Sequence, residues 1–345
     1  MNDFFEKLQA GINKNIKGVH ASVLADSEIA GNRWWVKTPS YDLNRILSGS
    51  LFKGLQSRQL IGIIGPEHTM KSSAMILCMV EAQKQGKNIV IIDSEGGINS
   101  EFCTRWGLDI EKCFYTYTPF VSEVRSILAQ IRETGEQDLV IGIDSAGGLD
   151  RLKQFDDAAA GEMKADQGLL QKEIRSMLKL FLNVCIAQNS IGIITGHLYG
   201  SPGGYGGDQV GGGKAMKLFP SILIKLKKEQ LLDKDENVVG STIHASTLKN
   251  RLYPPFQTAQ VNLNYLDGVE PYAGILDLAI KAGIVAQKGS WYSFGEEKLG
   301  QGVSNATKAL ENFDVLESID NWLKDTGYST KSREIEEAVQ LLEEK

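Results

Sequence analysis

The sequence predicts an α/β protein with a mostly parallel central sheet, and three observations carry that prediction. Short, continuously apolar runs alternate with helical patterns. Two of the runs close on a carboxylate. A third enters a lysine-bearing turn that opens a helix. Unbroken apolar strands between helices are the mark of a parallel sheet covered on both faces. The predicted strands are 59–64, 88–93, 138–144 and 191–195, and the predicted helices are 72 to about 83, 121–134 and 171–188. Segments 221–227 and 241–249 read as further strands in a hairpin extension. Beyond about residue 265 the pattern changes to short helices with one hairpin-like piece at 289–294, which suggests a small C-terminal domain. Residues 1 to about 30 read as an amphipathic helix (Phe4, Phe5, Leu8, Ile12, Ile16) and a connection. No internal repeat is evident.

Composition narrows the class. The chain has 345 residues, 42% hydrophobic and 23% charged, as in soluble globular proteins. No apolar run reaches the roughly 18 residues of a membrane helix, which points away from a membrane partner. The segment Met1 to Lys7 lacks a basic region followed by an apolar stretch, so no signal peptide is expected. Cys78, Cys103, Cys113 and Cys185 are scattered without metal spacing, and a reducing cytoplasm suits them. The four histidines form no ligand pattern either. A net charge of −6 argues against a wholly basic nucleic-acid coat but leaves room for a local basic groove. Acidic residues gather at the end of the chain, in Glu334, Glu336, Glu337, Glu343 and Glu344.

The chemistry concentrates at the predicted strand ends. After strand 59–64 the chain reads Gly65, Pro66, Glu67, His68, Thr69, Met70, Lys71, Ser72, Ser73. That is the phosphate-binding pattern G-x-x-x-x-G-K-[ST] with Met70 in place of the second glycine. In such a loop the backbone N–H groups surround the phosphates, the lysine neutralises them, and the hydroxyl binds Mg²⁺. The helix that follows adds its positive end. Met70 preserves the loop only if its backbone conformation is open to a residue with a Cβ. Asp144 ends an apolar strand in the manner of a Walker B carboxylate that holds Mg²⁺ through water, and Ser145 follows it. Glu95, just past the strand ending at Asp93, is placed to polarise a water for attack on a γ-phosphate. His197, at the tip of strand 191–195, is placed to report that phosphate to the segment beyond. Each residue alone has a plainer reading: a strand–turn–helix corner, a strand-end cap, an exposed turn residue, a structural histidine. Their shared position at the C-terminal ends of parallel strands, where open α/β sheets bind ligands, favours the functional one. Residues 196–213 are half glycine and carry Tyr199 and Tyr205, with Lys214 and Lys217 just after. Such a segment is either a surface insertion or a place where backbone approaches a ligand and aromatic rings stack on bases.

With these residues together, the chain resembles the RecA family of recombinases, and its departures resemble the phage UvsX-type branch. The likeness covers nearly the whole chain. It is densest in the phosphate loop, Asp93-Ser94-Glu95, Asp144-Ser145, and residues 248–256. It extends through residues 289–294 with Gly300-Gln301-Gly302 and Asn305-Ala306-Thr307. The resemblance implies a RecA-like P-loop ATPase core at 31–264, with a mostly parallel sheet. It further implies an N-terminal oligomerisation helix within residues 1–30, a small C-terminal α/β domain at 265–330 and an acidic tail at 331–345. It implies an ATP- and Mg²⁺-dependent helical filament on single-stranded DNA that pairs and exchanges strands with homologous duplex DNA, with single-strand-binding and loading proteins as possible partners.

By the same resemblance, Glu95 matches the residue that activates the hydrolytic water. Lys71 and Ser72 match the phosphate and Mg²⁺ ligands, and Asp144 the Walker B aspartate. Phe102 stands where the family has an adenine-stacking tyrosine, and Asn99 where it has an aspartate near the base. Lys249 and Arg251 match a basic pair that reaches a neighbouring subunit's ATP, and Tyr265 is expected near that nucleotide too. Residues about 150–168 and 198–213 correspond to two DNA-binding loops, with Tyr199, Tyr205, Gly211, Gly212 and Lys214 as DNA contacts. The first loop mixes Arg151, Lys153 and Lys164 with Asp150, Asp156, Asp157 and Glu162. Met70 replaces a loop glycine and His197 a glutamine that senses the γ-phosphate. A bacterial cytoplasm, with or without phage infection, is the implied location. A ring helicase on the same core, or a filament or mediator protein that binds nucleotide without turnover, are the competing expectations.

Overall fold

The computed structural model describes residues 3–16, 21–153, 167–199, 209–233, 235–312 and 314–326. The chain divides into two units, Met1–Trp34 and Trp35–Lys345. The first unit holds α1 (Asp3–Asn15) and the short α2 (Glu28–Gly31). Asp3 and Glu6 lie in the first turn of α1 and Lys14 in its last, which complements the helix dipole. Phe4, Phe5 and Leu8 on that helix are exposed.

In the second unit, β1 (Trp35–Val36) and β2 (Leu55–Gln56) form a small antiparallel ladder, with α3 (Tyr41–Ser48) between them. The phosphate-loop strand β3 (Gln59–Gly65) then leads into α4 (Lys71–Lys84). Next come β4 (Ile89–Asp93), α5 (Ser100–Arg105), β5 (Cys113–Tyr117), α6 (Val121–Thr134) and β6 (Val140–Asp144). The long helix α7 (Gln167–Ala187) precedes β7 (Ile191–Tyr199), β8 (Gln209–Val210) and the short α8 (Ala215–Leu218). The antiparallel extension is β9 (Ile222–Leu232), β10 (Val238–Asn250), β11 (Thr258–Asn264) and β12 (Gly268–Val269).

These strands form one ten-stranded sheet in the order β12-β11-β10-β9-β3-β7-β6-β4-β5, with β8 paired to β7. From β9 to β5 every neighbouring pair is parallel, and β9 to β12 are antiparallel. Strands β3, β4 and β6 are buried along their whole length, which is why they read as unbroken apolar runs. Phe181, Met177 and Leu178 of α7 pack with Val124 and Leu128 of α6 over Leu60, Ile141 and Ile194. Met75, Ile76 and Met79 of α4 are fully buried as well.

The expected mostly parallel α/β core is observed, with several boundaries moved. Strand β7 continues past Thr195 to Tyr199, and α7 begins at Gln167 rather than at 171. The extension strands are longer than 221–227 and 241–249. Edge strand β5 was not expected, because Phe114, Tyr115 and Tyr117 are exposed on it and no apolar alternation marks it. The hairpin-like piece is the centre of a three-stranded antiparallel sheet: β13 (Val285–Lys288), β14 (Trp291–Phe294) and β15 (Glu297–Gln301). This sheet packs with α9 (Ile275–Lys281), α10 (Val303–Ala309) and α11 (Val315–Asp325) around Ile275, Tyr292, Leu310 and Ile319. Leu51 joins that core, and the buried Asp320 carboxylate accepts the Ser50 hydroxyl at 2.7 Å and the Leu51 N–H at 2.8 Å.

Candidate nucleotide site

Register alone gathers the expected residues. Asp93 stands opposite Asp144 across the β4–β6 pair, and Gly65 opposite His197 across β3–β7. Their strands are parallel, so the chain leaves each of them on the same edge of the sheet. A cleft of about 520 Å³ opens there, lined by residues 67–73 of the loop, Glu95, Phe102, Asp144, His197 and Lys228.

The loop keeps its shape despite Met70. That residue has φ 65° and ψ 28°, the left-handed conformation that glycine adopts freely. For a residue with a Cβ it costs roughly 1–2 kcal/mol. Gly65 is required on steric grounds, since a Cβ there would come within 2.6 Å of Thr69 Oγ1 and 2.7 Å of the Leu226 carbonyl oxygen. Two donors turn inward onto the loop itself: Thr69 Oγ1 and Lys71 Nζ both donate to the Pro66 carbonyl, at 2.8 and 2.7 Å. Lys71 is only 6% exposed. Burial lowers its pKa, while Asp144, Glu95 and Glu67 pull in the other direction.

Asp144 is also buried, and burial raises its pKa. Hydroxyls of Ser72 and Thr195 oppose that rise, and the charges of Glu95 and Asp93 add to it. The Thr195 hydroxyl donates directly to Asp144 Oδ1. Carboxylates therefore outnumber the loop lysine around a hydroxyl, an arrangement suited to a divalent cation. Among the described residues no group of three or more His, Cys, Asp or Glu could hold a metal alone. Ser72 and Asp144 fit Mg²⁺ bound largely by water and substrate phosphates, as this hard cation prefers.

Glu95 is engaged on one oxygen by two partners. The Ser145 hydroxyl donates to Oε1, and His197 Nε2 lies 3.0 Å from it. His197 Nδ1 is buried and finds no hydrogen-bond partner among the described residues. The His197 carbonyl accepts the Gly211 N–H at 2.7 Å, and Leu198 and Tyr199 pair with Val210 and Gln209. Gly212 has φ 83°, and a Cβ there would come within 2.9 Å of Met216 Cγ and 3.0 Å of Ala146 Cβ. Phe102 forms one wall of the cleft, its ring edge-on to Trp106 at 6.4 Å.

Residues 29–270 match the RecA N-terminal domain and residues 273–326 the RecA C-terminal domain. The chain belongs to the RecA family. It is 30% identical to Protein RecA of Treponema denticola over 282 residues, 79% of this chain and 66% of that one. It is 30% identical to Protein RecA of Chlorobium limicola over 268 residues, 76% and 75% of the two chains. With Protein RecA of Bacillus velezensis the identity is 26% over 301 residues, 84% and 85%.

Not every residue that the RecA resemblance singled out is in this cleft. Lys249, Arg251 and Tyr265 do not line it. Lys249 Nζ donates to the Leu218 carbonyl at 2.7 Å, and Arg251 is exposed. The Tyr265 hydroxyl is 2.8 Å from Ser241 Oγ. Asn99 is a helix cap instead of a cleft residue, its Oδ1 accepting the Phe102 N–H at 2.8 Å. Tyr199 and Lys214 are exposed, while Tyr205 and most of 150–168 lie outside the described residues. Arg151 is already paired with Glu173 at 2.9 Å. Two groups went unnoticed in the sequence: Lys228, which lines the cleft, and the buried Thr195, which bonds to Asp144. Thr195 was legible as a hydroxyl ending an apolar strand. Lys228 was legible from alternation, since it stands two residues beyond the buried Leu226 on the same face of β9.

Proposed function

We propose that this RecA-family chain is an ATP-dependent DNA recombinase. In this reading it forms a helical filament on single-stranded DNA, hydrolyses ATP in response to that DNA, and pairs and exchanges strands with homologous duplex. The observation that carries it is the convergence of Lys71, Ser72, Asp144 and Glu95 on one cleft, with the His197 backbone tied to the glycine-rich segment at Gly211.

Residues 67–73 bind the polyphosphate through backbone N–H groups and the Lys71 ammonium, which must first leave the Pro66 carbonyl. Phe102 offers its ring face to the base. Mg²⁺, held by Ser72 and Asp144, would neutralise charge building on the phosphates. Glu95 accepts the proton of the attacking water. Because His197 shares Glu95 Oε1, its turn toward a γ-phosphate frees that carboxylate for water. The same turn pulls on Gly211 and Gly212 and thereby alters the DNA-facing segment. Exposed Tyr199 and the basic Lys214 suit stacking and phosphate contact there, as Tyr205 does in sequence. Lys249, Arg251 and Tyr265, free of their own chain's cleft, serve a neighbouring subunit's nucleotide. Met70 and His197 favour a phage UvsX-type relative, acting in the cytoplasm of a bacterium or infected cell alongside single-strand-binding and loading proteins. The left-handed conformation of Met70 supports turnover over a purely structural use of nucleotide.

The test is single-stranded DNA binding at moderate salt with and without ATP, read by fluorescence anisotropy, together with electron microscopy. ATP-dependent binding and open helical filaments are expected. ATP-independent binding, or closed rings, would remove the recombinase reading.

A further inference from the structure

Asp93 ends β4, is 0% exposed, and takes no part in the proposed chemistry. Its carboxylate accepts four hydrogen bonds. Oδ1 receives the N–H groups of Glu95 (2.9 Å) and Gly96 (2.8 Å). Oδ2 receives the N–H of Ile98 (3.0 Å) and the hydroxyl of Tyr115 (3.1 Å). A carboxylate out of water is tolerated when its lone pairs are satisfied, and here donors supply what a counter-ion would. Three of those donors belong to the turn that carries Glu95, so the direction in which Glu95 leaves the strand is set by this one group. The fourth comes from outside the turn. Tyr115 lies on edge strand β5, opposite Ile91, and its residue is 45% exposed although its hydroxyl reaches a fully buried oxygen. Burial and the Asp93 charge push the phenol up to about 12, so it donates throughout the physiological range. The same corner is tightened by backbone bonds from Ser94 N–H to the Asp144 carbonyl (2.7 Å) and Thr118 N–H to the Asp93 carbonyl (2.9 Å).

We infer that Asp93 and Tyr115 are positioning residues for Glu95, the carboxylate clamping the 95–98 turn and the edge-strand hydroxyl fixing the clamp. The inference rests on the proposed role of Glu95 in water activation. Asp93 sets the position of the proton acceptor without touching substrate, so its loss is felt in the chemical step and not in nucleotide binding. A displacement of about 1 Å at a reacting group costs on the order of 100-fold in rate.

The experiment uses the full chain and two variants, Tyr115→Phe and Asp93→Asn. Steady-state ATP hydrolysis with single-stranded DNA is measured beside hydrogen exchange of peptides spanning residues 94–98. For Tyr115→Phe, kcat falls about fivefold, as for loss of one hydrogen bond to a charged group. KM for ATP and melting temperature stay unchanged, and exchange speeds up in 94–98 alone. For Asp93→Asn, kcat falls about 100-fold with the same split between kcat and KM. Turnover within twofold of wild type in both variants would overturn the inference and leave the proposed function standing. So would exchange that rises evenly over the chain. If Asp93→Asn fails to fold, Tyr115→Phe decides. If the wild type does not hydrolyse ATP, the proposed function falls, and unchanged exchange at 94–98 in Tyr115→Phe would remove the clamp as well.

Discussion

Lys71 and Lys249 are both lysines partly withdrawn from water at the edge of the same sheet, yet their surroundings differ in kind. Lys71 sits among Asp144, Glu95 and Glu67, inside a cleft where Thr195 holds Asp144 and Ser145 and His197 hold Glu95. Lys249 rests on the last carbonyls of α8, with burial and the like charge of Arg251 both lowering its pKa. No carboxylate forms an ion pair with it among the described residues. The first cation has its target in its own chain. The second lies outside that cleft, beside a like charge that a polyanion would offset. In the proposed reading, one half of the machinery is preassembled in the subunit and the other half acts on a neighbour's nucleotide.

The largest expected effect breaks the preassembled half. Lys71→Ala abolishes ATP-dependent binding to single-stranded DNA, because no other cation of the loop can replace the ammonium. Retention of that binding, followed by anisotropy, would separate DNA binding from this cleft. The second break falls on the waiting half. Lys249→Ala leaves ATP binding by the dilute subunit intact and cuts DNA-stimulated turnover on the order of 1000-fold, the scale of a charge supplied from outside a phosphoryl-transfer site. A loss of ATP affinity at low protein concentration would instead assign Lys249 to its own cleft.

A smaller effect sharpens the electrostatic side of the comparison. Burial raises the pKa of Asp144 in the folded protein. The native state therefore holds that proton more tightly than the unfolded chain, and stability is lost as pH rises through the folded value. Asp144→Asn removes this dependence. Its melting temperature should match wild type near pH 4 and exceed it by a few degrees at pH 7, while Mg²⁺-dependent nucleotide binding is lost. Equal melting temperatures across that range would mean that Ser72 and Thr195 fully compensate the burial. The smallest effect concerns Met70. Replacement by glycine changes nucleotide affinity less than about threefold, since glycine takes the same left-handed conformation freely. Replacement by valine weakens it about tenfold, because a β-branched residue resists that conformation. Equal affinities for both, measured by calorimetry, would show that the loop has moved.

The preassembled half was also the legible half. Gly65, Lys71, Ser72, Asp144 and Glu95 follow from a fixed spacing and from apolar runs that end on carboxylates, because strand, turn and helix are local consequences of sequence. Which strand ends meet is not local. That Gly65 faces His197 and Asp93 faces Asp144 depends on the order β3-β7-β6-β4, which periodicity does not encode. Edge strand β5 was invisible because exposed Phe114 and Tyr117 obey no buried pattern. With β5 hidden, Tyr115 offered no hint that it reaches Asp93. Lys228 and Thr195 were missed for a related reason: each gains meaning only from a neighbour on another strand. Asn99 shows the reverse, a position matched by resemblance whose side chain is spent on capping α5.

The most direct test is ATP hydrolysis with and without single-stranded DNA, for wild type and for Glu95→Gln. DNA should stimulate wild-type turnover strongly, and Glu95→Gln should bind ATP and DNA yet stay inert under both conditions. DNA-stimulated hydrolysis that survives in Glu95→Gln, or a wild type that binds both ligands without turnover, would contradict it.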